Sequence, residues 1–176
     1  IKLNSGSVNG ATVENNTVDG FTDTGIDSPV VATIHHNEIK NSGIGIRYDG
    51  DSVGLTRNEV HDNDTGLTGT GILGADGPQD NVVNNLYSNV TGVNAQSGAE
   101  VTFNRIYQND VGINTHNDVR VHHNRIFKNS GDAIRVIGDE NVTVDNNTVY
   151  SPNDDSVRIE DAAKNVVLKN NILWNK

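Results

Sequence analysis

An asparagine that returns at intervals of 20 to 26 residues is the feature that most constrains how this chain can fold. Each of these anchors is followed two positions later by an aliphatic residue. The fourth anchor is ambiguous only because Asn85 stands next to Asn84. Self-similarity with this period is typical of solenoids, in which every repeat forms one coil. The anchors, each with its aliphatic partner, are Asn16 (Val18), Asn37 (Ile39), Asn58 (Val60), Asn84 (Leu86), Asn104 (Ile106), Asn124 (Ile126), Asn147 (Val149) and Asn171 (Leu173).

Each repeat has the same internal order of apolar and polar positions. Apolar residues five and three positions before the anchor predict a short first strand with one inward face. A second strand follows the anchor, then a polar turn, then a third strand made of a small, an aliphatic and a polar residue. The first-strand pairs are Val53/Leu55, Val119/Val121, Val142/Val144 and Val166/Leu168; the turns hold Asn63, Asn89, Asn109 and Asn129; the third strands include residues 45–47, 92–94, 112–114, 133–135 and 156–158.

Three short strands per repeat leave no room for a helix. The pattern therefore predicts an all-β fold, a right-handed single-stranded parallel β-helix (solenoid) of about eight coils with asparagine-rich turns. Neighbouring coils would lie about 4.8 Å apart, with aliphatic side chains in inward columns. The asparagines would hydrogen-bond to their equivalents in neighbouring coils, and they tolerate the left-handed backbone that a sharp corner needs. We interpret residues 1–176 as a single β-helix domain, part of a longer chain, with further coils as end-to-end partners.

Composition limits the kinds of site that the chain can hold. The absence of cysteine excludes disulfides, thiol catalysis and thiolate metal sites. A formal net charge of −10 argues against binding nucleic acid through its phosphates. No apolar run is long enough to span a membrane.

The units "NNTV", "HNEI", "RNEV", "FNRI", "HNRI" and "NNIL", with the Gly-Ile elements that follow several of them, resemble the right-handed parallel β-helix repeat family, the pectin-lyase-like superfold. The closing segment 146–174 is similar to β-helix regions of large secreted bacterial surface proteins. The resemblance implies an extracellular or cell-surface location. It implies no single activity, because this family includes lyases, hydrolases, epimerases, spike proteins and non-catalytic modules.

One candidate catalytic group lies on the outward face of the first strands. The repeat places Glu100 beside Arg120, His122 beside Asp145, and Asp145 beside Lys169. A solvent-facing histidine next to a carboxylate and flanked by cations could perform acid–base chemistry on a bound uronate, with His122, Asp145 and Lys169 as candidates. The alternative is that opposite charges on neighbouring strands simply pair.

The outward column of the third strands holds the candidate ligand-binding residues. Arg135 and Arg158 should stack on adjacent coils, bordered by Asp132, Asp154 and Asp155. Two guanidiniums could clamp carboxylates or sulfates of an acidic polysaccharide, or the neighbouring acids could neutralise them. The Asp pair is a partial match to the paired-Asp motif of β-helix polygalacturonases, whose other motifs are missing from this sequence, as is the Asp-Pro-His motif of alginate epimerases.

Metal sites are considered at two places. His35–His36 and His122–His123 open nearly identical phrases four coils, or about 19 Å, apart, so they cannot share one ion. Neighbouring strand residues point to opposite faces, so neither pair can chelate unless the turn begins there; we interpret the pairs as products of the repeat. Calcium is the only cofactor considered, with Asp62 and Asp64 of "DNDTG" as candidates, because this turn resembles half of an EF-hand loop. Ordinary turn chemistry is the alternative.

Two functions remain. The first is a non-catalytic secreted or cell-surface β-helix module that acts as a scaffold or as an acidic-polysaccharide-binding surface. The second is a polysaccharide lyase, glycoside hydrolase or uronate epimerase, or a fragment of one. The missing catalytic motifs favour the first. Residues 64–80 are expected to form the only sizeable inserted loop, which could wall a binding groove.

Overall fold

A computed structural model describes residues 1–3, 10–51, 54–75 and 83–175. Every regular element in these ranges is a β-strand. In chain order the strands are β1 (Ala11–Glu14), β2 (Thr17–Asp19), β3 (Thr24–Ser28), β4 (Ala32–His35), β5 (Glu38–Lys40), β6 (Ile44–Tyr48), β7 (Leu55–Thr56), β8 (Glu59–His61), β9 (Thr65–Gly69), β10 (Ile72–Gly74), β11 (Asn84–Tyr87), β12 (Thr91–Ala95), β13 (Glu100–Thr102), β14 (Asn104–Tyr107), β15 (Val111–Asn114), β16 (Arg120–His122), β17 (Arg125–Phe127), β18 (Ile134–Ile137), β19 (Thr143–Asp145), β20 (Thr148–Ser151), β21 (Arg158–Glu160), β22 (Val167–Lys169) and β23 (Ile172–Asn175).

The strands form the three faces of a parallel β-solenoid. The second strands make one sheet of eight, in the order β2-β5-β8-β11-β14-β17-β20-β23, and the third strands make one of seven, from β3 to β21. The first strands form two sheets, β1-β4-β7 and β10-β13-β16-β19-β22. The chain therefore makes seven complete coils and begins an eighth with β22 and β23, which confirms the predicted parallel β-helix.

The core is a set of stacked aliphatic columns. Ile113 pairs in register with Val93 and Ile134 on the neighbouring coils, and all three are fully buried. The residue before Ile113 must be small, because a Cβ added at Gly112 would lie 2.4 Å from the carbonyl oxygen of Ala133 on the next coil. Leu168, predicted to face inward, is 43% exposed because the last coil is covered on one side only. Contact of this end with further coils stays a prediction. Val53 lies outside the described residues.

Asparagines form two hydrogen-bonded ladders, one after the first strand and one after the second. In the first ladder Asn104 donates its backbone N–H to Oδ1 of Asn124 at 3.0 Å, and Asn124 donates likewise to Asn147. The second ladder runs through Asn63, Asn89, Asn109 and Asn129. The fourth anchor is Asn84, not Asn85.

At most of these corners the left-handed residue is the one before the ladder asparagine, whereas the ladder asparagine itself was predicted to take this conformation. His123, for example, has a φ of 55°. The ladder side chain can then turn inward, where it reaches the carbonyls of the coil below. The left-handed residues that directly precede a ladder asparagine are Asn15, His36, Arg57, Asp62, Ser88, Phe103, Gln108, His123, Lys128, Asn146 and Asn170.

The prediction of an inserted loop at 64–80 is wrong for most of these residues. Residues 65–69 and 72–74 are β9 and β10, and Leu67 and Leu73 are buried in the core. Residues 76–80 lie outside the described part of the chain.

Candidate functional site

The outward column of the third-strand sheet is continuous over seven coils, and we refer to it as the third-strand face. Strand pairing puts one residue per coil in register, and Thr68 fills the position between Arg47 and Asn94. Asn114 donates its Nδ2 to Oδ1 of Asn94 at 3.1 Å. The column is Asp27, Arg47, Thr68, Asn94, Asn114, Arg135 and Arg158.

A groove of about 360 Å³ lies along the earlier coils of the third-strand face. Its polar groups come from Arg47, Asp49, Thr65, Thr68, Asn94 and Gln96. Thr68 donates its hydroxyl to the carbonyl of Asn94 at 2.7 Å, so this part of the groove wall is ordered across two coils. The guanidinium of Arg47 lies 2.9 Å from Oδ1 of Asp27. The groove therefore combines neutral donors and acceptors with a paired charge.

Arg135 and Arg158 lie side by side on adjacent coils, as predicted, with a buried carboxylate between them. Asp132 is fully buried and accepts a hydrogen bond from Nε of Arg135 at 2.8 Å. Nη1 of Arg158 lies 3.8 Å from the same carboxylate oxygen, and its Nη2 lies 2.8 Å from Glu160. Both guanidinium charges are balanced locally, so this half of the face carries no large positive potential.

The acidic residues near these arginines lie closer together than the sequence indicates. Asp132, Asp154 and Asp155 each have a carboxylate oxygen within 4.8 Å of the others, and the latter two are exposed. In the described ranges no such group includes the calcium candidates Asp62 and Asp64. Oδ2 of Asp62 instead lies 2.7 Å from Nδ1 of His61.

The catalytic candidates are in the predicted register, but their side chains choose different partners. His122 lies in register with Asp145 on the next coil, and Asp145 lies in register with Lys169 on the coil after that. Nε2 of His122 lies 2.5 Å from Oε1 of Glu100, on the coil before. Asp145 accepts two hydrogen bonds from Arg120, from Nε and Nη2, each at 3.1 Å. The two contacts are diagonal, because long side chains reach across coils to the carboxylate that is not directly opposite.

The prediction that His122 and Asp145 face solvent is wrong. Only 7% of His122 and 1% of Asp145 are exposed. Burial lowers the pKa of His122, against the opposing effect of the Glu100 carboxylate. The hydrogen bonds from Arg120 lower the pKa of Asp145. A buried carboxylate held in an ion pair is poorly placed to exchange a proton with a bound sugar, so this group is better explained as a structural ion pair.

We expect Arg120→Ala to lower the free energy of unfolding by about 2–3 kcal/mol, because it leaves the buried Asp145 carboxylate without its cation. This value lies below the range for fully buried pairs, since the side chain of Arg120 is 49% exposed and screened by water. The pair stabilises the fold above the ordinary Asp pKa of about 4 and loses this contribution as pH falls through the lowered pKa.

Denaturant unfolding of wild type and Arg120→Ala at about pH 7 and at about pH 3 measures the effect. The difference should shrink at the lower pH. Asp145→Asn in the Arg120→Ala background is the control and should recover part of the loss. An equal difference at both pH values would contradict an ionic origin.

The two histidine pairs bend back on themselves, so the exception allowed from the sequence, a turn that begins within the pair, applies to both. His36 and His123 have φ values of 55°, and the turn has therefore begun at each of them. Nδ1 of His35 lies 2.7 Å from Nδ1 of His36, and the same distance separates His122 from His123. A cavity of about 200 Å³ opens beside His123 and Phe103, with Arg105 and Arg125 on its wall.

An aromatic column on the outer side of the second-strand sheet was missed by sequence reasoning. His61, Tyr87, Tyr107 and Phe127 stack with centroids 4.8 to 5.1 Å apart and nearly parallel rings. The recurrence of a ring three residues after successive anchors could have revealed the column. Because the rings stack on each other, their faces are not available to a sugar. The column is better explained as packing between coils.

Comparison with known protein families shows to which family the chain belongs. A family model described as "Right handed beta helix region" matches residues 78–176, which is 99 of the 176 residues. The chain belongs to this right-handed β-helix family. None of the curated proteins compared with it matches.

Solved structures share the fold of this right-handed β-helix. The periplasmic alginate epimerase AlgG, in a single-mutant and a double-mutant form, is 17% and 16% identical, with TM-scores of 0.60 and 0.63 over 89% and 94% of this chain. The A-module of the Azotobacter vinelandii mannuronan C-5 epimerase AlgE4 is 15% identical, with a TM-score of 0.52 over 95% of this chain. The β-helix spans 48%, 51% and 58% of these chains, about half their length. In the described ranges, no helix is long and apolar enough to cross a membrane.

Proposed function

We propose that this β-helix is a non-catalytic, extracellular or cell-surface module that binds an extended acidic polysaccharide along its third-strand face. The observation that carries the proposal is the in-register polar column that includes Arg47, Asn94, Asn114, Arg135 and Arg158. Seven coils about 4.8 Å apart give a face about 29 Å long, and this spacing is close to the length of one sugar unit. Successive sugars would therefore meet equivalent positions of successive coils.

The middle and the end of the face suit different parts of such a ligand. Asn94 and Asn114 offer amide groups, which suit sugar hydroxyls. Arg135 and Arg158 offer guanidiniums, which suit carboxylates or sulfates. Because Asp132 and Glu160 already pair with these guanidiniums, an acidic sugar must compete for them. Binding should therefore be weak and should weaken further as salt is added.

The alternative function, a polysaccharide-active enzyme, has less support from the geometry. Of the three residues proposed to perform acid–base chemistry, His122 and Asp145 are buried and held by Glu100 and Arg120, and only Lys169 is exposed. The structural neighbours are alginate epimerases, but identities of 15 to 17% carry over the fold only. Because these neighbours act on alginate, alginate oligosaccharides are the natural first probe for this chain.

The test is titration with acidic oligosaccharides at low salt, with Arg135→Ala/Arg158→Ala as the key variant. We expect the dissociation constant to rise about tenfold or more, which corresponds to about 1.4 kcal/mol. Arg105→Ala/Arg125→Ala is the matched control, because these arginines are also neighbours on adjacent coils but belong to the second-strand sheet. This control should bind as the wild type does.

A second variant protects the test against loss of folding, since removing both arginines leaves Asp132 buried without its cations. Asn94→Ala/Asn114→Ala removes two amides of the same face that contact no buried charge, and should also weaken binding. Unchanged affinity in both face variants would reject the proposed surface. Release of an unsaturated or epimerised product by wild type would establish the enzyme function instead.

A further inference from the structure

The two histidine pairs each bring two imidazole nitrogens together at the same corner of the solenoid. The left-handed corner recurs in other coils, but its two flanking side chains are both imidazoles only at His35–His36 and His122–His123. The rings of each pair are nearly perpendicular, at 79° and 81°. We propose that each pair is a bidentate site for a divalent transition metal ion of the copper and nickel class, which binds both Nδ1 atoms once each neutral imidazole carries its proton on Nε2.

The separation of the nitrogens fits this class of ion. With metal–nitrogen bonds of about 2.0 Å, two ligands at right angles lie about 2.8 Å apart, whereas tetrahedral ligands lie about 3.3 Å apart. The observed separation is 2.7 Å in both pairs. This value matches neighbouring positions of a square-planar or tetragonal ion, the geometry of Cu²⁺ and Ni²⁺. Without metal, the same distance is that of a hydrogen bond between one Nδ1–H and the other Nδ1.

A carboxylate sets the tautomer that a metal needs. Nε2 of His122 lies 2.5 Å from Oε1 of Glu100, and Nε2 of His35 lies 3.4 Å from Oε2 of Glu14. A proton held on Nε2 by the carboxylate leaves a lone pair on Nδ1, which faces the second histidine. Histidine ligands of metal ions commonly donate their other N–H to a carboxylate in this way, which raises their basicity.

The surroundings favour a cation at the later pair in particular. Oε1 of Glu100 lies 2.5 Å from Nε2 of His122, whereas Oε2 of Glu14 lies 3.4 Å from Nε2 of His35, so the carboxylate contact is closer at the later pair. Phe103 stacks on His123 with centroids 4.9 Å apart, which restrains that ring. The second histidine of each pair is exposed, and an ion bound there can complete its coordination with water. We therefore expect tighter binding at His122–His123 than at His35–His36.

The repeat supplies variants that preserve the backbone. Asn15, Asn146 and Asn170 occupy the position of the second histidine in other coils, with φ values of 55° to 57°. His36→Asn and His123→Asn should therefore fold normally while each removes one ligand. His116→Asn, a change outside both pairs, is the matched control.

Calorimetric titration of the untagged chain with Cu²⁺ tests the proposal. Wild type and His116→Asn should bind two ions, each single variant one fewer, and His36→Asn/His123→Asn none with comparable affinity. Paramagnetic resonance of the bound Cu²⁺ should show coupling to two nitrogens. Glu100→Gln should weaken the later site about 10- to 100-fold, as loss of a carboxylate that orients a ligand does.

Two results would overturn the proposal. One is wild-type protein that binds no Cu²⁺ at micromolar to millimolar concentrations. The other is binding that persists in the double variant, which would assign the ions to another group such as the Asp132, Asp154 and Asp155 carboxylates. Circular dichroism of every variant checks that the β-helix is intact, so a loss of binding reports on the ligands.

Discussion

Ile113→Ala should lower the free energy of unfolding by about 2–5 kcal/mol, the range for large-to-small substitutions in a packed core. Ile113 is fully buried and lies in register between Val93 and Ile134. The cavity that this substitution leaves cannot collapse easily, because backbone hydrogen bonds hold the neighbouring coils at a fixed spacing. Denaturant unfolding, with the midpoint and slope fitted together, measures the loss.

Asn114→Ala, the next residue along β15, is the control for this substitution. Asn114 points outward, is half-buried and makes one hydrogen bond to Asn94, so its loss should cost about 0.5–1 kcal/mol. Comparable losses at Ile113 and Asn114 would mean that the register of this strand is wrong.

Asn124→Ala should be as damaging as the loss of a core aliphatic residue, although it removes a polar side chain. Asn124 is 1% exposed; its Oδ1 accepts the backbone N–H of Asn104, and its Nδ2 donates to the carbonyl of Val101. Each buried group left without a partner costs about 1–3 kcal/mol, so these two put the expected loss at about 2–6 kcal/mol.

Asn153→Ala provides the matched comparison for the ladder. Asn153 is exposed and makes one long hydrogen bond, at 3.3 Å, so we expect a loss below about 0.5 kcal/mol. Urea unfolding of both variants decides the point. A loss at Asn124 no larger than at Asn153 would show that the ladder contributes little to stability.

The separation between what sequence could and could not predict is clearest within single coils. The alternation around Asn124 correctly predicted that Val121 and Ile126 face inward and that Asn104, Asn124 and Asn147 stack. The same alternation wrongly placed His122 and Asp145 in solvent. Strand periodicity decides only the face from which a side chain leaves the backbone, whereas burial depends on the neighbours that cover it.

The candidate sites follow the same division. The register that stacks Arg135 on Arg158 was predictable, because it depends on the repeat alone. The diagonal partners of His122 and Asp145 were not, because side chains from coils more than 20 residues apart choose among several carboxylates within reach. Which residue takes the left-handed corner was also not predictable, and that single position brings His123 back against His122.

The β-helix, its three strands per coil, its inward columns and its asparagine ladders could all be predicted from the amino-acid sequence. All of these follow from local periodicity repeated many times, so errors at one coil are corrected by the others. Which outward side chains are buried, which charges pair and which imidazoles meet became clear from the three-dimensional arrangement of the coils. Those outcomes depend on single corners and on rotamers set by neighbouring coils, for which one repeat contains no information.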